Sequence, residues 1–365
     1  MTTVKNDNNL QTVDLQSGDT YQIKKKQLTL NELRKLIKKE DLEPPSVRNF
    51  FGAFIKIGLY FLAFYFACNA SGFLATAFFT FAAGYFLFSL GTLGHDCGHG
   101  AYIRPRWLNE AIGTLSMSLH GLPYEGWKHS HNTHHANTNR GELDPDRLWL
   151  YDEEYIAMGK TERFFWRMFQ TRFFWMSAIG HYFRSMLPWS FKIKEKTDNQ
   201  DIINRCKRDT FIWIGIVVTF IASYAFMGFS LLKIIPVYLI TVALAFMWLS
   251  AYVRTEHYLL DNGYDLHDKP WVTSRTTTHH PILDFFATNL NYHIEHHILQ
   301  TVPHANLPYI RPLMKKTILE ANEIYPEDEF WSFMKMSFNH EFTLMEKETF
   351  KERPISQVPG ILAKL

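Results

Sequence analysis

The sequence is poor in cysteine. Cys68, Cys97 and Cys206 are the three among 365 residues, too few for a disulfide framework. It has no bias of charge either: 38 Lys and Arg against 36 Asp and Glu leave a net +2, so the charge balance does not call for nucleic acid as a partner. Residues 1–49 are polar and carry runs such as Lys24-Lys25-Lys26, which is not the pattern of a secretory signal peptide. Internal repeats and low-complexity tracts are missing. The most informative absence is local. No Asp, Glu, Lys or Arg occurs from Ile57 to Gly94, and Lys233 is the sole one from Phe211 to Val253.

A helix needs about 20 apolar residues to cross a bilayer core. Four spans qualify, at 50–68, 73–94, 211–232 and 234–253. The polar Asn69-Ala-Ser-Gly72 and the charge at Lys233 divide them into two hairpins. Lys56 lies inside the first span, near an end from which it can snorkel to the interface. The alternative, buried helices in a large soluble protein, fits such long uncharged stretches poorly. The expected fold is an all-α membrane protein with four transmembrane helices and a helical cap. The expected order is an N-terminal tail and amphipathic helix (1–49), a first hairpin (50–94), interfacial helices (95–210), a second hairpin (211–253) and further helices (254–365). Residues 1–22 read as a disordered tail. Thr29 to Glu40 reads as the amphipathic helix, packed on the cap or lying on the membrane. Segment 107–122 is short and polar-flecked and should lie in or dip into the interface. Segment 162–191, rich in Phe, Trp and Arg, suits a membrane surface, and 307–349 reads as a polar helical tail. Almost every Lys and Arg falls on the side that holds both termini, which the positive-inside rule makes cytosolic.

What is abundant is histidine, with 17. Eight fall in three clusters: His95-Asp-Cys-Gly-His99, His131-Asn-Thr-His134-His135 and His293-Ile-Glu-His296-His297. Residues three and four apart share a helix face, so each cluster is a patch of imidazoles. Two hairpins put all three patches on one side of the membrane. Neutral imidazole binds Zn, Cu, Fe or Ni, so ligand type does not choose the metal. Number does more. Structural zinc takes four ligands and catalytic zinc usually three, so eight imidazoles are too many for one ion and suit two. Two redox-active metals beside lipid point towards oxygen activation, with imidazoles where soluble di-iron bundles use Glu and Glu-x-x-His.

These clusters, with Gly94-His-Asp-Cys-Gly-His-Gly100, Trp127-Lys-His-Ser-His-Asn-Thr-His-His135 and Asn291-Tyr-His-Ile-Glu-His-His297, resemble the membrane fatty acid desaturase superfamily. Glu142-Leu-Asp-Pro-Asp146 and Val302-Pro-His-Ala-Asn-Leu-Pro308 are similar to it as well. The resemblance covers about residues 50–310. It implies an oxygen-dependent enzyme with two non-haem irons that removes two hydrogens from the chain of an acyl-lipid or acyl-thioester. Electrons would come from a ferredoxin or cytochrome b5 type donor. It implies His95, His99, His131, His134, His135, His293, His296 and His297 as iron ligands. A ninth is expected just after the fourth span, at His257, with His267 as the fallback. The third box begins with His and no His-Pro-Gly-Gly motif is present, unlike front-end desaturases with a fused cytochrome b5. The first two boxes look closest to delta-12/omega-3 acyl-lipid desaturases. The membrane expected is a bacterial inner membrane or endoplasmic reticulum, with the boxes and both termini cytosolic. A lipid or carotenoid hydroxylase or ketolase on the same scaffold is the alternative. A histidine-lined transporter would need ionisable groups within its spans.

The other histidines have plainer expectations. His129 lies off the second patch and reads as a surface or supporting group. His279 and His280 diverge beside Pro281. His120, His181, His304 and His340 read as surface or interface groups. Asp96, Glu256 and Glu295 stand next to cluster histidines and are candidates to hold imidazole N–H groups. Cys97 reads as a small packed residue.

Overall fold

The computed structural model describes residues 10–13, 21–24, 28–147, 149–170, 173–260, 268–338, 343–345 and 352–354. His267 and His340 lie outside the described residues. The elements that build the site are α1 (Leu30–Arg34), α2 (Ser46–Asn69), α3 (Phe73–Gly98), α4 (Arg106–Leu119), α5 (Tyr124–Asn137), α6 (Gln200–Phe226), α7 (Leu231–His257), α8 (His293–Ile298) and α9 (Leu307–Glu320). Strand is confined to three short pairs among the described residues. One joins Leu10–Val13 to Tyr21–Lys24, where β-branched and aromatic side chains favour extended backbone over the expected disorder.

Four helices, ending with α2, α3, α6 and α7, are long and apolar enough to cross a membrane. Their outer faces carry large apolar side chains in the open: Phe73 is 84% exposed, Phe211 76% and Leu232 90%. Each such side chain would gain about 2 kcal/mol on leaving water, so this surface belongs in lipid. The inner faces interlock. Phe64 of α2 meets Phe220 and Tyr224 of α6 edge-on, both at 4.8 Å. Gly84 lets α3 approach α7 closely, since a Cβ there would stand 2.5 Å from Leu244 Cβ.

The long helices outrun their apolar stretches. α3 continues through His95, and α7 ends on His257. Helical rigidity therefore carries histidines out of the bundle. Above it, α4 packs on α3, and α5 follows Pro123 and carries the second cluster. The side chains of α1 pack on the cap and not on a membrane: Leu33 is fully buried in a cluster with Trp271, Ile294 and Ile298.

Several expectations need correction. The second hairpin does not turn at Lys233. The turn comes at Gly228, with φ +94, and Ser230 caps α7. Lys233 then sits in the first turn of α7 and donates to the Ala70 carbonyl at the end of α2, a favourable place for a cation at a helix C-terminus. Lys56 does not snorkel. It is 2% exposed and donates to Thr288 Oγ1 at 2.6 Å, because a loop 232 residues away brings an acceptor to it. The amphipathic helix is shorter than expected. α1 ends at Arg34, and a separate 3-10 turn spans Lys39–Leu42. The 307–349 tail holds two helices among its described residues: α9 ends before Asn322, with φ +58, and a second covers Phe330–Phe338.

Candidate metal centre

α3, α5, α7 and α8 each present histidines, and the cap folds them together. His95, His99, His131, His135 and His296 form one group whose ligand atoms all lie within 4.8 Å of one another. His134, His257 and His297 form a second group under the same limit. His293 joins that second group, its Nε2 lying 2.8 Å from His257 Nε2 and 3.0 Å from His297 Nε2. All eight box histidines and His257 thus lie at one place, in a group of five and a group of four. Gly98 makes room beside them for Trp127: a Cβ there would stand 2.7 Å from that ring. Trp127 stacks on His131 at 4.9 Å.

Hydrogen bonding fixes how the imidazoles face. In the second group every Nδ1 points at a partner on the far side from its neighbours. His257 Nδ1 is 3.1 Å from the Thr273 carbonyl, and His293 Nδ1 is 3.3 Å from the Leu290 carbonyl. His134 Nδ1 lies 2.7 Å from Asp144 Oδ1. His297 Nδ1 lies 3.2 Å from Thr138 Oγ1, which donates its own proton to the His134 carbonyl. A carbonyl can only accept, so these Nδ1 atoms carry the protons and the Nε2 atoms carry lone pairs. Those lone pairs then meet at hydrogen-bond distance with no proton between them. In the first group His131 and His135 stand 2.9 Å apart at Nε2, and His135 and His296 3.1 Å.

A cation resolves that repulsion. Two imidazoles bound at about 2.1 Å and a right angle would stand about 3 Å apart, which is the spacing of these pairs. The protonation states agree. Burial, then the neighbouring imidazoles, pushes His99, His135, His293, His296 and His297 well below the ordinary histidine range. These rings are neutral and free to bind a metal. Burial also lowers His131, against the pull of Asp146. His134 differs: burial pushes it down, and Asp144 more than reverses this, leaving it raised. The donor set therefore fits two ions held by nitrogen.

The acids expected beside the ligands divide. Glu256 approaches His293 Nδ1 at 3.5 Å. Asp96 accepts the His304 backbone N–H at 3.3 Å, not an imidazole. Glu295 accepts from Thr276 Oγ1 at 2.9 Å and from the Tyr325 hydroxyl. Asp144 and Asp146 hold imidazoles too, the latter 2.9 Å from His181 Nε2 and 3.7 Å from His131 Nδ1. Their signal was the acidic stretch just after the second box. His129 stays off the site and accepts from Trp189 Nε1 at 3.2 Å. His279 pairs with Asp284 at 2.8 Å, and His280 caps the helix at Pro281–Phe286. Cys97 is a packed core residue.

Two histidines expected at the surface are buried. His304 is fully buried against His296, its Nε2 3.0 Å from His296 Nδ1. His120 is 3% exposed, its ring 4.6 Å from Phe246. Burial there holds its pKa at about 4, so it is neutral. His120 lines a cavity of about 310 Å³ that runs from the imidazoles into the helix bundle. His131 and His134 stand on its wall, as do Phe88, Met117 and Leu249. A molecule in it would touch both histidine groups and a mainly apolar wall, with Asp146, Arg147, Glu162 and Arg184 also among the lining residues. That arrangement suits an extended hydrocarbon.

A family model described as fatty acid desaturase matches residues 71–328. The chain is 28% identical to an sn-1 oleoyl-lipid 12-desaturase of Arthrospira platensis, over 69% of this chain and 72% of that protein. It is 25% identical to an sn-1 oleoyl-lipid 12-desaturase of Anabaena variabilis, over 85% and 88%. It is 24% identical to an sn-1 acyl-lipid omega-3 desaturase (ferredoxin) of Synechocystis sp., over 85% and 86%.

Proposed function

Because the chain belongs to the fatty acid desaturase family, we propose that it inserts a cis double bond towards the methyl end of a membrane-lipid acyl chain, at a delta-12 or omega-3 position. It is an oxidoreductase of lipids, and its family generally depends on iron. The observation that carries the reading is the mainly apolar cavity on whose wall histidines of both groups stand. Two irons fit the groups, with His95, His99, His131, His135 and His296 as ligands of one and His134, His257, His293 and His297 of the other. When bound they supply the reduction of O2, with two electrons and two protons from outside the substrate. The balance is one CH2–CH2 unit, O2, two electrons and two protons giving one CH=CH unit and two waters.

The protein's own part is positioning and exclusion. Phe88, Met117 and Leu249 line the apolar part of the cavity, where an unpaired polar group would be penalised. In the four-histidine group the Nδ1 partners fix the rings in orientation, so little reorganisation accompanies reaction there. A ferredoxin-type donor is favoured over cytochrome b5 by the relatives named for ferredoxin. The positive-inside rule supports cytosolic boxes and termini.

The test is the fatty-acid profile of a host that makes this chain with ferredoxin and its reductase. Dienoic or trienoic chains, with the new bond located by mass spectrometry, are the expected products. Products that gain an oxygen atom and no double bond would sink the desaturase reading in favour of a hydroxylase.

A further inference from the structure

His304 follows Pro303 in the loop after α8, where it was expected at the surface. All of its polar groups are committed. Its backbone N–H donates to Asp96 Oδ2 at 3.3 Å, and its carbonyl accepts from Asn289 Nδ2 at 3.1 Å. Its Nδ1 lies 3.1 Å from the Thr288 carbonyl, which can only accept. The ring proton is therefore on Nδ1, and Nε2 carries a lone pair. That lone pair faces His296 Nδ1 at 3.0 Å. His296 must then hold its own proton on Nδ1, which leaves its Nε2 lone pair directed at His135 and the first histidine group.

The support continues outward. Thr288 adopts φ +54, an uncommon backbone for a β-branched residue. It is held there by Lys56 at 2.6 Å and Thr92 at 2.9 Å on its hydroxyl. The carbonyl that sets the His304 tautomer is thus itself fixed from two transmembrane helices.

We infer that His304 is a positioning residue, not a ligand, which accepts the His296 Nδ1 proton and so fixes the tautomer and aim of one metal-binding imidazole. It does for His296 what the Asp144 carboxylate does for His134, with a neutral acceptor in place of a charged one. The inference rests on the metal-centre reading above.

The test uses full-length protein in detergent, loaded with iron-57. Iron per chain, Mössbauer spectra and the rate of iron loss to a ferrous chelator are measured for wild type, His304→Phe and His304→Gln. Phe keeps the ring shape without the acceptor. Gln offers an amide oxygen near the place of Nε2. His304→Phe should lose iron about 10- to 100-fold faster and alter one of two Mössbauer components, while His304→Gln stays within a few-fold of wild type with both components kept. A Phe variant indistinguishable from wild type overturns the inference. So does a Gln variant that loses the component as Phe does, since that result makes the His304 nitrogen a ligand. If the Phe variant does not accumulate, the Gln variant decides by the same two readings. A wild-type protein that takes up no iron overturns the metal-centre reading and this inference together, whereas failure of the variants alone leaves the metal centre standing.

Discussion

Asp144 Oδ1 lies 2.7 Å from His134 Nδ1, and both residues are buried. Asp144 Oδ2 also accepts the Asn139 backbone N–H at 2.7 Å, so the carboxylate is held in place before it holds the ring. Asp144→Ala should therefore weaken iron retention in the four-histidine group by about 10- to 100-fold. Equilibrium dialysis against a graded chelator measures it. Unchanged retention would mean that the imidazole is oriented without the acid.

The same pair sets a pH dependence. His134 is raised, whereas burial and like neighbours keep His293 and His297 low. A protonated imidazole cannot bind metal. As pH falls, His134 is the first of its group to take a proton, so iron leaves that group before the five-histidine group. Stepwise acidification followed by Mössbauer spectroscopy should show one component fading first. Simultaneous loss of both components would contradict this order.

Lys56 is buried, and its Nζ is anchored on Thr288. Lys56→Met keeps the length of the side chain and removes the donor. Leaving a buried hydroxyl without its partner costs about 1–3 kcal/mol, which should lower the melting temperature of the detergent-solubilised protein. No change in melting would show that the loop at residues 286–288 is held by other contacts.

Gly84 and Leu244 test the helix bundle apart from the metals. Gly84→Ala places a methyl 2.5 Å from Leu244 Cβ, an overpacking worth about 1–3 kcal/mol. Adding Leu244→Gly, which removes that Cβ, should recover part of that loss. A double-mutant cycle on melting temperatures reads the coupling, and purely additive effects would deny the close approach.

Gly91 lies one helical turn before His95, and a Cβ there would meet the His120 ring at 2.8 Å. Gly91→Leu should press on His120 and crowd the cavity without reaching the two histidine groups. The expected result is a large loss of lipid desaturation with wild-type iron content. Parallel loss of iron and turnover would show that the channel and the metal site cannot be separated at this point.

The histidine patches were legible because their logic is local: spacing of three and four on one helix needs no knowledge of the rest of the chain. The four spans were legible for the same reason, from length and uncharged composition. His304, His120 and Lys56 were misread because what buries them comes from far away. His304 depends on the loop at Thr288, His120 on the approach of Gly91, and Lys56 on that same loop. Lys233 was misread because a charge was taken to mark the turn, while the capping at Ser230 and the positive φ of Gly228 set it. Asp144 and Asp146 were visible as an acidic stretch, but only the fold gives them imidazoles to hold.

The division of histidines between the groups has a consequence for the order of synthesis. Each group draws on the last box. A nascent chain that has reached residue 290 carries His95, His99, His131 and His135 of the five, and His134 and His257 of the four. Neither set closes until His296 and His297 have left the ribosome. A chain cut before residue 296 thus completes neither group, and both groups close only after the two hairpins have been made.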